Sequence, residues 1–457
     1  MHNLVFASTA DLAAAIRTGQ ISAVEALQAY LAQIARHNPT LNAVITLDAE
    51  RAAVRAQEAD AALRRGELWG PLHGVPFTLK DAHATAGMRT TTGFPPLDHV
   101  PQADGTVAAR LTAAGGVLMG KTNVPVMLAD VQTTNPIFGR TANPWDIART
   151  CGGSSGGAAA AVAAGITPFE IGTDLSGSIR IPAAYCGVFG LKPTEHRVSL
   201  AGLIPGLPPV PSVRIMSCIG PLARTVEDLG LLYRIIAGPD GCDTDVPPVP
   251  APEVPALALP GLRIAYAPTF PGVPVAAAIR EAIADVAERL QRAGAIVAAP
   301  PLPTADIQAT LARAGALLRM VVGAFQVDAH EAPTSLAAYL EALHWRDEEL
   351  RAWEQFFTTW DALLCPASMI TAFPHCAPGA PLHVDGAAAP YELVSAHSFL
   401  FNYTGHPAVT LPVARDGAGL PIGVQLVGKR WDESRLLGMA AALVDVTGPF
   451  QAPPGFA

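Results

Sequence analysis

Residues 149–194 read RTCGGSSGGAAAAVAAGITPFEIGTDLSGSIRIPAAYCGVFGLKPT, and two Gly/Ser-dense turns within them point to the architecture. The turns are CGGSSGG (151–157) and LSGS (175–178), and they flank an Ala/Val helix from Ala158 and a buried strand, ITPFEIG (166–172). Linkers run over the surface, whereas both turns abut the most apolar segments of the chain. Strand, turn and helix in that alternation predict an α/β sheet covered on both faces.

The alternation continues to either side. Upstream, Val75–Leu79 reads as a strand, Thr106–Ala114 as a helix and Gly116–Gly120 as a strand; downstream come strand Leu262–Tyr266, helix Val275–Ala293 and strand Ile296–Ala299. Three more strands are expected at Ala362–Pro366, Ala408–Val413 and Ile422–Val427, with a closing helix from Glu433. Residues 1–66 read as a helical N-terminal arm: Ser22-Ala-Val-Glu25 forms a capping box ahead of Val24, Leu27, Leu31 and Ile34, and an extended segment, Asn42–Leu47, separates two long helices. The stretch GPDGCDTDVPPVPAPEVPALALP (238–260) can neither continue a helix nor pair in a central strand, and reads as a surface crossover. The expectation is one large α/β catalytic domain over 67–457, a mixed central sheet sandwiched by helices, preceded by the arm.

Composition narrows the function. The 457 residues carry 30 Lys and Arg against 39 Asp and Glu, a net charge of -9, with 15% charged. That balance lacks the basic face that phosphate contacts need, which argues against nucleic acid. Half the residues are hydrophobic, so the chain can bury a core. The longest apolar run, Ala158–Ile166, is too short for a membrane span, which takes about 18 residues, and the N-terminus shows no secretory pattern. Six cysteines without a C-x-x-C pair read as reduced thiols in a cytoplasmic protein, not as a disulfide framework or zinc site.

Three readings compete for the Gly/Ser turns. A phosphate-cradling loop requires a Lys after the second Gly, and none follows Gly157. Gly153-Ser-Ser155-Gly-Gly157 satisfies G-x-S-x-G, which would make Ser155 the nucleophile of an elbow esterase, but no His or HGGG partner stands out. The third reading joins more residues. GVPFTLKD, KTNVP, GRTANPWD, GGSSGGAAAAVAAG, GTDLSGSIRIPAAYCGVFGLKPT, GPLARTVEDL, NYTGHPAVTLP and GLPIGVQLVG occur in that order along nearly the whole chain. In these motifs the chain resembles the amidase signature family.

The resemblance implies Ser178 as nucleophile, Ser154 as a bridging serine after a cis peptide, and Lys80 as base, with backbone N–H groups of Leu175, Ser176, Gly177 and Ser178 as the oxyanion hole. The residue types suit that chemistry. A serine hydroxyl needs a base to become a nucleophile, and a lysine serves once burial lowers its pKa. Beside these, Ser155 is expected to cap the Ala158 helix, Asp174 and Arg180 to form a supporting ion pair, Cys186 to be core, and His83 to be a satisfied polar group. Met127, Val131, Phe138 and Ile204, from the segments Met127–Phe138 and Gly202–Met216, are the expected substrate contacts, and their apolar setting favours a hydrophobic or aryl amide.

Several positions depart from the family pattern. Ser176 stands where a first Gly is usual, which should stiffen the oxyanion loop; Glu195-His196 replaces the usual x-Gly; Val126 replaces a frequent Glu. Ser217-Cys218 precedes Ile219-Gly-Pro where the glutamyl-tRNA amidotransferase A subunit of this family has Asp-Gln. The expected function is hydrolysis of a small-molecule amide by a cytoplasmic monomer or homodimer with no metal, no cofactor, no nucleic acid and no membrane, esters and carbamates being open to the same chemistry. The alternatives are the A subunit of a glutamine-dependent amidotransferase and the Ser155 esterase.

Overall fold

Capping chemistry starts the chain where the sequence places it. In the computed structural model, which describes residues 4–207, 214–323 and 334–456, Ser22 and Glu25 form the reciprocal capping box of a helix over Ala23–Leu41. That helix, α2, follows α1 (Thr9–Arg17) and precedes α3 (Ala49–Arg64), with strand β1 (Val44–Leu47) between the last two. Leu12, Ile16, Leu27, Tyr30, Ala52 and Ala56 from these helices are buried in the same hydrophobic cluster as the central strands.

Two sheets organise the rest. The smaller holds three strands in the order β1-β3-β2, with β2 at Pro76–Lys80 and β3 at Val117–Thr122, and α4 (Thr106–Ala113) lies between them in sequence. Two short ribbons follow: β4 with β5 (Thr134–Asn135, Gly139–Arg140) and β6 with β7 (Ala142–Asn143, Asp146–Thr150). The larger sheet has eight strands in the order β12-β11-β13-β17-β16-β9-β10-β8. Its members are β8 (Phe169–Asp174), β9 (Phe189–Lys192), β10 (Cys218–Ala223), β11 (Arg263–Tyr266), β12 (Ile296–Ala298), β13 (Ala362–Pro366), β16 (Ala408–Arg415) and β17 (Pro421–Gly428). Strands β12, β11 and β13 run parallel and the other pairs antiparallel. The expected mixed sheet is therefore present. Periodicity gives no strand partners, however: the strands at 75 and 116 leave the main sheet for the small one, and β9 and β10 join it without having been expected.

Helix α5 (Gly156–Ala163) is buried at every position, as an all-apolar helix must be. The remaining helices are α6 (Arg180–Cys186), α7 (Val226–Ile236), α8 (Ala277–Arg292), α9 (Ile307–Gly323), α10 (Leu336–Phe356), α11 (Ala396–Tyr403) and α12 (Glu433–Thr447), and a hairpin, β14–β15 (Leu382–Val384, Ala387–Ala389), precedes α11. The stretch 238–260 forms neither helix nor strand. Side chains satisfy its carbonyls instead: Arg197 donates to Val249 and Pro250, and Ser434 to Pro252.

The arrangement that matters for function is the seam where the small sheet's edge strand β2 packs against β8, the edge of the large one. Phe77 stacks on Phe169 at 5.3 Å, and the Thr78 amide donates to the Thr167 hydroxyl at 3.1 Å. Two residues further along β2 comes Lys80.

Candidate active site

Lys80 ends β2 fully buried, and its ammonium reaches three hydroxyls: Ser154 at 2.8 Å, Ser155 at 2.9 Å and Thr173 at 2.7 Å. No carboxylate among the described residues pairs with it. Burial pushes the Lys80 pKa down to about 7 from an ordinary 10.5, against the opposing attraction of Asp174 and Glu170. The hydroxyls determine how a neutral amine sits. Ser155 Oγ donates its single proton to the Thr173 carbonyl at 3.3 Å, so it accepts from Lys80. A neutral amine then has one N–H and one lone pair left for the hydroxyls of Ser154 and Thr173.

The cis peptide falls between Gly153 and Ser154. Position 153 accepts only glycine, because a Cβ there would lie 2.4 Å from the Asp130 carbonyl oxygen and 2.9 Å from the Val131 carbonyl carbon. Ser155 occupies the N-cap position of α5 but makes no capping hydrogen bond; its side chain spans Lys80 and β8 instead. The expected helix cap is thus corrected: a buried ammonium and a strand carbonyl compete for the hydroxyl and win.

Ser178 joins this group through its main chain, the Ser155 amide donating to the Ser178 carbonyl at 3.1 Å. Its own hydroxyl makes no hydrogen bond among the described residues, and it retains 9% exposure against 1% for Ser154. Of the four amides expected to form an oxyanion hole, those of Leu175, Ser176 and Ser178 meet no acceptor among the described residues. The Gly177 amide is instead donated to Asp174 at 2.8 Å, which removes it from that set. Gly177 has another role. It carries the loop's left-handed φ of +108°, and a Cβ on it would meet Ile181 Cδ1 at 2.8 Å. The left-handed turn thus falls at Gly177, and Ser176 is not among the residues of positive φ.

The loop is anchored by the Asp174–Arg180 ion pair at 2.9 Å, both side chains fully buried. Asp174 also accepts from the Ile179 amide and Asn402 Nδ2. Arg180 donates to the Ser398 carbonyl at 2.8 Å, to Gln425 Oε1 at 2.9 Å and to Asn402 Oδ1. Burial opposes the Asp174 charge, but the Arg180 guanidinium and these donors outweigh it and hold the carboxyl well below the usual range. Thr173, Asn402 and Gln425 were not singled out from sequence. A glutamine in the otherwise apolar strand LPIGVQLVG was the available signal for the last of them.

Other expectations sort unevenly. Cys186 is buried core. His83 is buried, and its Nε2 meets no hydrogen-bond partner among the described residues; burial first, then Lys121 and Lys80, drive its pKa well below the ordinary value, against the opposing Ile171 backbone. Val131 abuts the cis turn. Ile204 donates its amide to Ala82, two residues past Lys80, at 2.7 Å, and the Met127 amide donates to Thr92 at 3.0 Å. Phe138 is partnered by Arg89, 5.0 Å above its ring, and by Asn42 on its carbonyl, rather than by any triad residue. Residues 208–213 of the second specificity segment lie outside the described residues. Glu195 ties its loop to Arg346 and the Met216 amide, while His196 adopts a φ of 64° where the family usually has Gly. Among the described residues no group of His, Cys, Asp and Glu could hold a metal, and no helix is long and apolar enough to cross a membrane.

A family model described as Amidase matches residues 25–332 and 312–437. The chain belongs to the amidase family. It is an enzyme acting at amide C–N bonds, by hydrolysis or transfer. This amidase is 36% identical, over 96% of each chain, to the glutamyl-tRNA(Gln) amidotransferase A subunit of Roseiflexus sp. (strain RS-1). Among solved structures, a chain of a vestigial complex described as revealing the origins of an s-triazine catabolic enzyme superposes with a TM-score of 0.84 at 30% identity, over 98% of the amidase and 100% of that chain. A bacterial aryl acylamidase of the amidase signature family superposes with a TM-score of 0.83 at 26% identity, covering 97% and 96%.

Proposed function

We propose that the chain cleaves a carboxylic amide through an acyl-enzyme on Ser178, with Ser154 as proton relay and Lys80 as base. The observation that carries this reading is the buried Lys80 amine 2.8 Å from the Ser154 hydroxyl with no carboxylate among the described residues paired to it. As Ser178 Oγ attacks the carbonyl carbon, its proton passes to Ser154 Oγ and the Ser154 proton to Lys80 Nζ, which becomes an ammonium. The carbonyl electron pair moves to oxygen, where the free amides of Leu175, Ser176 and Ser178 are the available donors. Collapse of the adduct breaks the C–N bond and the relay returns the proton to the leaving nitrogen. Water then attacks the ester by the same route. Mass spectrometry after treatment with an alkyl fluorophosphonate tests the assignment: one adduct is expected on Ser178, and an adduct on Ser155 overturns it.

Two readings of the substrate each have an observation in their favour. The 36% identity to an amidotransferase A subunit over nearly both full lengths is the broader support for the first reading, in which the chain is the amide-cleaving component of a glutamine-dependent assembly. Ser217-Cys218, in place of the Asp-Gln of such subunits, favours a free-standing amidase; Cys218 pairs in register with Asp174 at the base of the oxyanion loop. The decisive comparison is turnover of glutamine, with any co-purifying chain retained, against a panel of primary amides, aryl amides, esters and carbamates. Glutamine turnover dependent on a second chain establishes the amidotransferase reading; efficient hydrolysis of an aryl amide by the single chain establishes the other.

A further inference from the structure

The segment Met127–Phe138, expected to form an apolar wall, contains a carboxylate that the mechanism does not use. Asp130 Oδ1 accepts from the Val131 amide at 2.7 Å and from the Tyr391 hydroxyl at 2.6 Å. Gln132 fixes the same tyrosine, donating to its hydroxyl at 3.0 Å, and is itself held by the Cys376 carbonyl at 3.0 Å and the Cys376 amide at 3.2 Å. Tyr391 is buried, and burial followed by the neighbouring Asp130 charge raises its pKa, so it stays a donor. Oδ2 of Asp130, in contrast, receives no hydrogen bond from any described residue, and no Lys, Arg or His among them forms an ion pair with this half-buried side chain. The carboxylate is oriented on one oxygen and open on the other.

Its place in the fold ties it to the reaction. The carbonyl oxygen of Asp130 lies 2.4 Å from where a Cβ of Gly153, the residue directly before Ser154, would be. Tyr391 shares a hydrophobic cluster with Ile181, whose Cδ1 underlies Gly177, directly before Ser178. Asp130 thus sits against the turn that carries Ser154, and its hydroxyl partner Tyr391 belongs to the same buried cluster as Ile181 beneath the Ser178 turn. A carboxylate held by neighbours on one oxygen, open on the other and without a cation among the described residues is what a site for an N–H-bearing cation requires, since charge-assisted hydrogen bonds are the strong ones. We propose that Asp130 is a specificity-determining residue, its Oδ2 receiving an ammonium or amidinium group carried by the amide substrate. This inference rests on Ser178 being the nucleophile and adds the class of substrate.

The test uses the full chain and chromogenic anilides carrying a primary ammonium on the acyl part, alkylanilides carrying it on the amine part, and a neutral isostere of each. Asp130→Asn keeps an acceptor for Val131 and Tyr391 and removes only the charge. A preference for a cationic probe in the parent chain, lost by about ten- to a hundredfold in kcat/KM in Asp130→Asn with neutral probes unchanged, is the expected result. Equal losses on charged and neutral probes mean that Asp130 merely braces the turn and overturn the proposal, as does a parent chain that prefers the neutral isosteres. Fluorophosphonate labelling separates the two levels. If Ser178 is labelled in both proteins but no cationic preference exists, only this inference fails; if Ser178 is not labelled in the parent chain, the catalytic reading fails with it.

Discussion

The two sides of the nucleophile loop bury lysine and arginine in opposite ways. On the β2 side, Lys80 meets three hydroxyls and, among the described residues, no counter-ion, so its charge costs solvation that nothing offsets in full and its pKa falls to about 7. On the α6 side, Arg180 meets a carboxylate, an amide oxygen on each of two further elements and a carbonyl, so its charge is matched in full. The first arrangement yields a group that can gain and lose a proton near neutrality. The second yields a fixed strut. A site that both moves protons and holds a turn still needs one of each.

The largest effect should come from breaking the chemistry itself. Ser178→Ala is expected to lower kcat by about ten-thousandfold or more while the melting temperature stays close to that of the parent; a variant that still turns over at about a tenth of the parent rate would remove Ser178 from the mechanism. Lys80→Met follows, with a loss of about 10² to 10⁴ in kcat/KM. In the parent chain kcat/KM should rise with pH through a single ionisation near 7, the value to which burial lowers Lys80, and in Lys80→Met that limb should vanish. The same shift affects stability. Between about pH 7 and 10.5 the unfolded chain binds a proton at Lys80 that the folded chain does not, so this group makes stability rise with pH across that window, and denaturation of Lys80→Met should show a flatter profile there.

Breaking the strut should damage stability. Arg180→Met leaves Asp174 buried and unpaired, with an expected cost of about 3 to 5 kcal/mol in urea denaturation. If the midpoint does not move, the pair is not what anchors the loop. The smallest contrast sharpens the comparison within the first side. Ser154→Ala should remove the relay and cost about 10² or more in kcat. Ser155→Ala loses an acceptor for Lys80 and a bond to β8, so kcat should fall by no more than about tenfold, with destabilisation of about 1 kcal/mol. Reversal of that order between the two serines would point back to an esterase-type elbow.

Much of the local structure was legible because it depends on near neighbours. The capping box of Ser22 and Glu25, the strand over Ala362–Pro366 and the start of the last helix at Glu433 stand where periodicity and capping residues place them. The motif order also singled out Lys80, Ser154 and Ser178, which lie 74 and 24 positions apart along the chain and which the fold brings into one group. Partners across space were another matter. The sequence carries no mark that β2 leaves the large sheet, that the Gly177 amide is taken by Asp174, or that Ser155 abandons its cap for Lys80.

What the sequence determined by itself is the set of groups, a lysine, three serines, an Asp–Arg pair and glycines where no side chain fits, together with the α/β texture that buries them. What tertiary structure decided is the state and orientation of each group. Lys80 is held among hydroxyls only because two edge strands meet around it, and Arg180 is saturated only because α11 and β17, more than 200 residues away, bring Asn402 and Gln425 to it. Protonation and hydrogen bonding depend on what surrounds a group in space, and chain folding alone sets that surrounding.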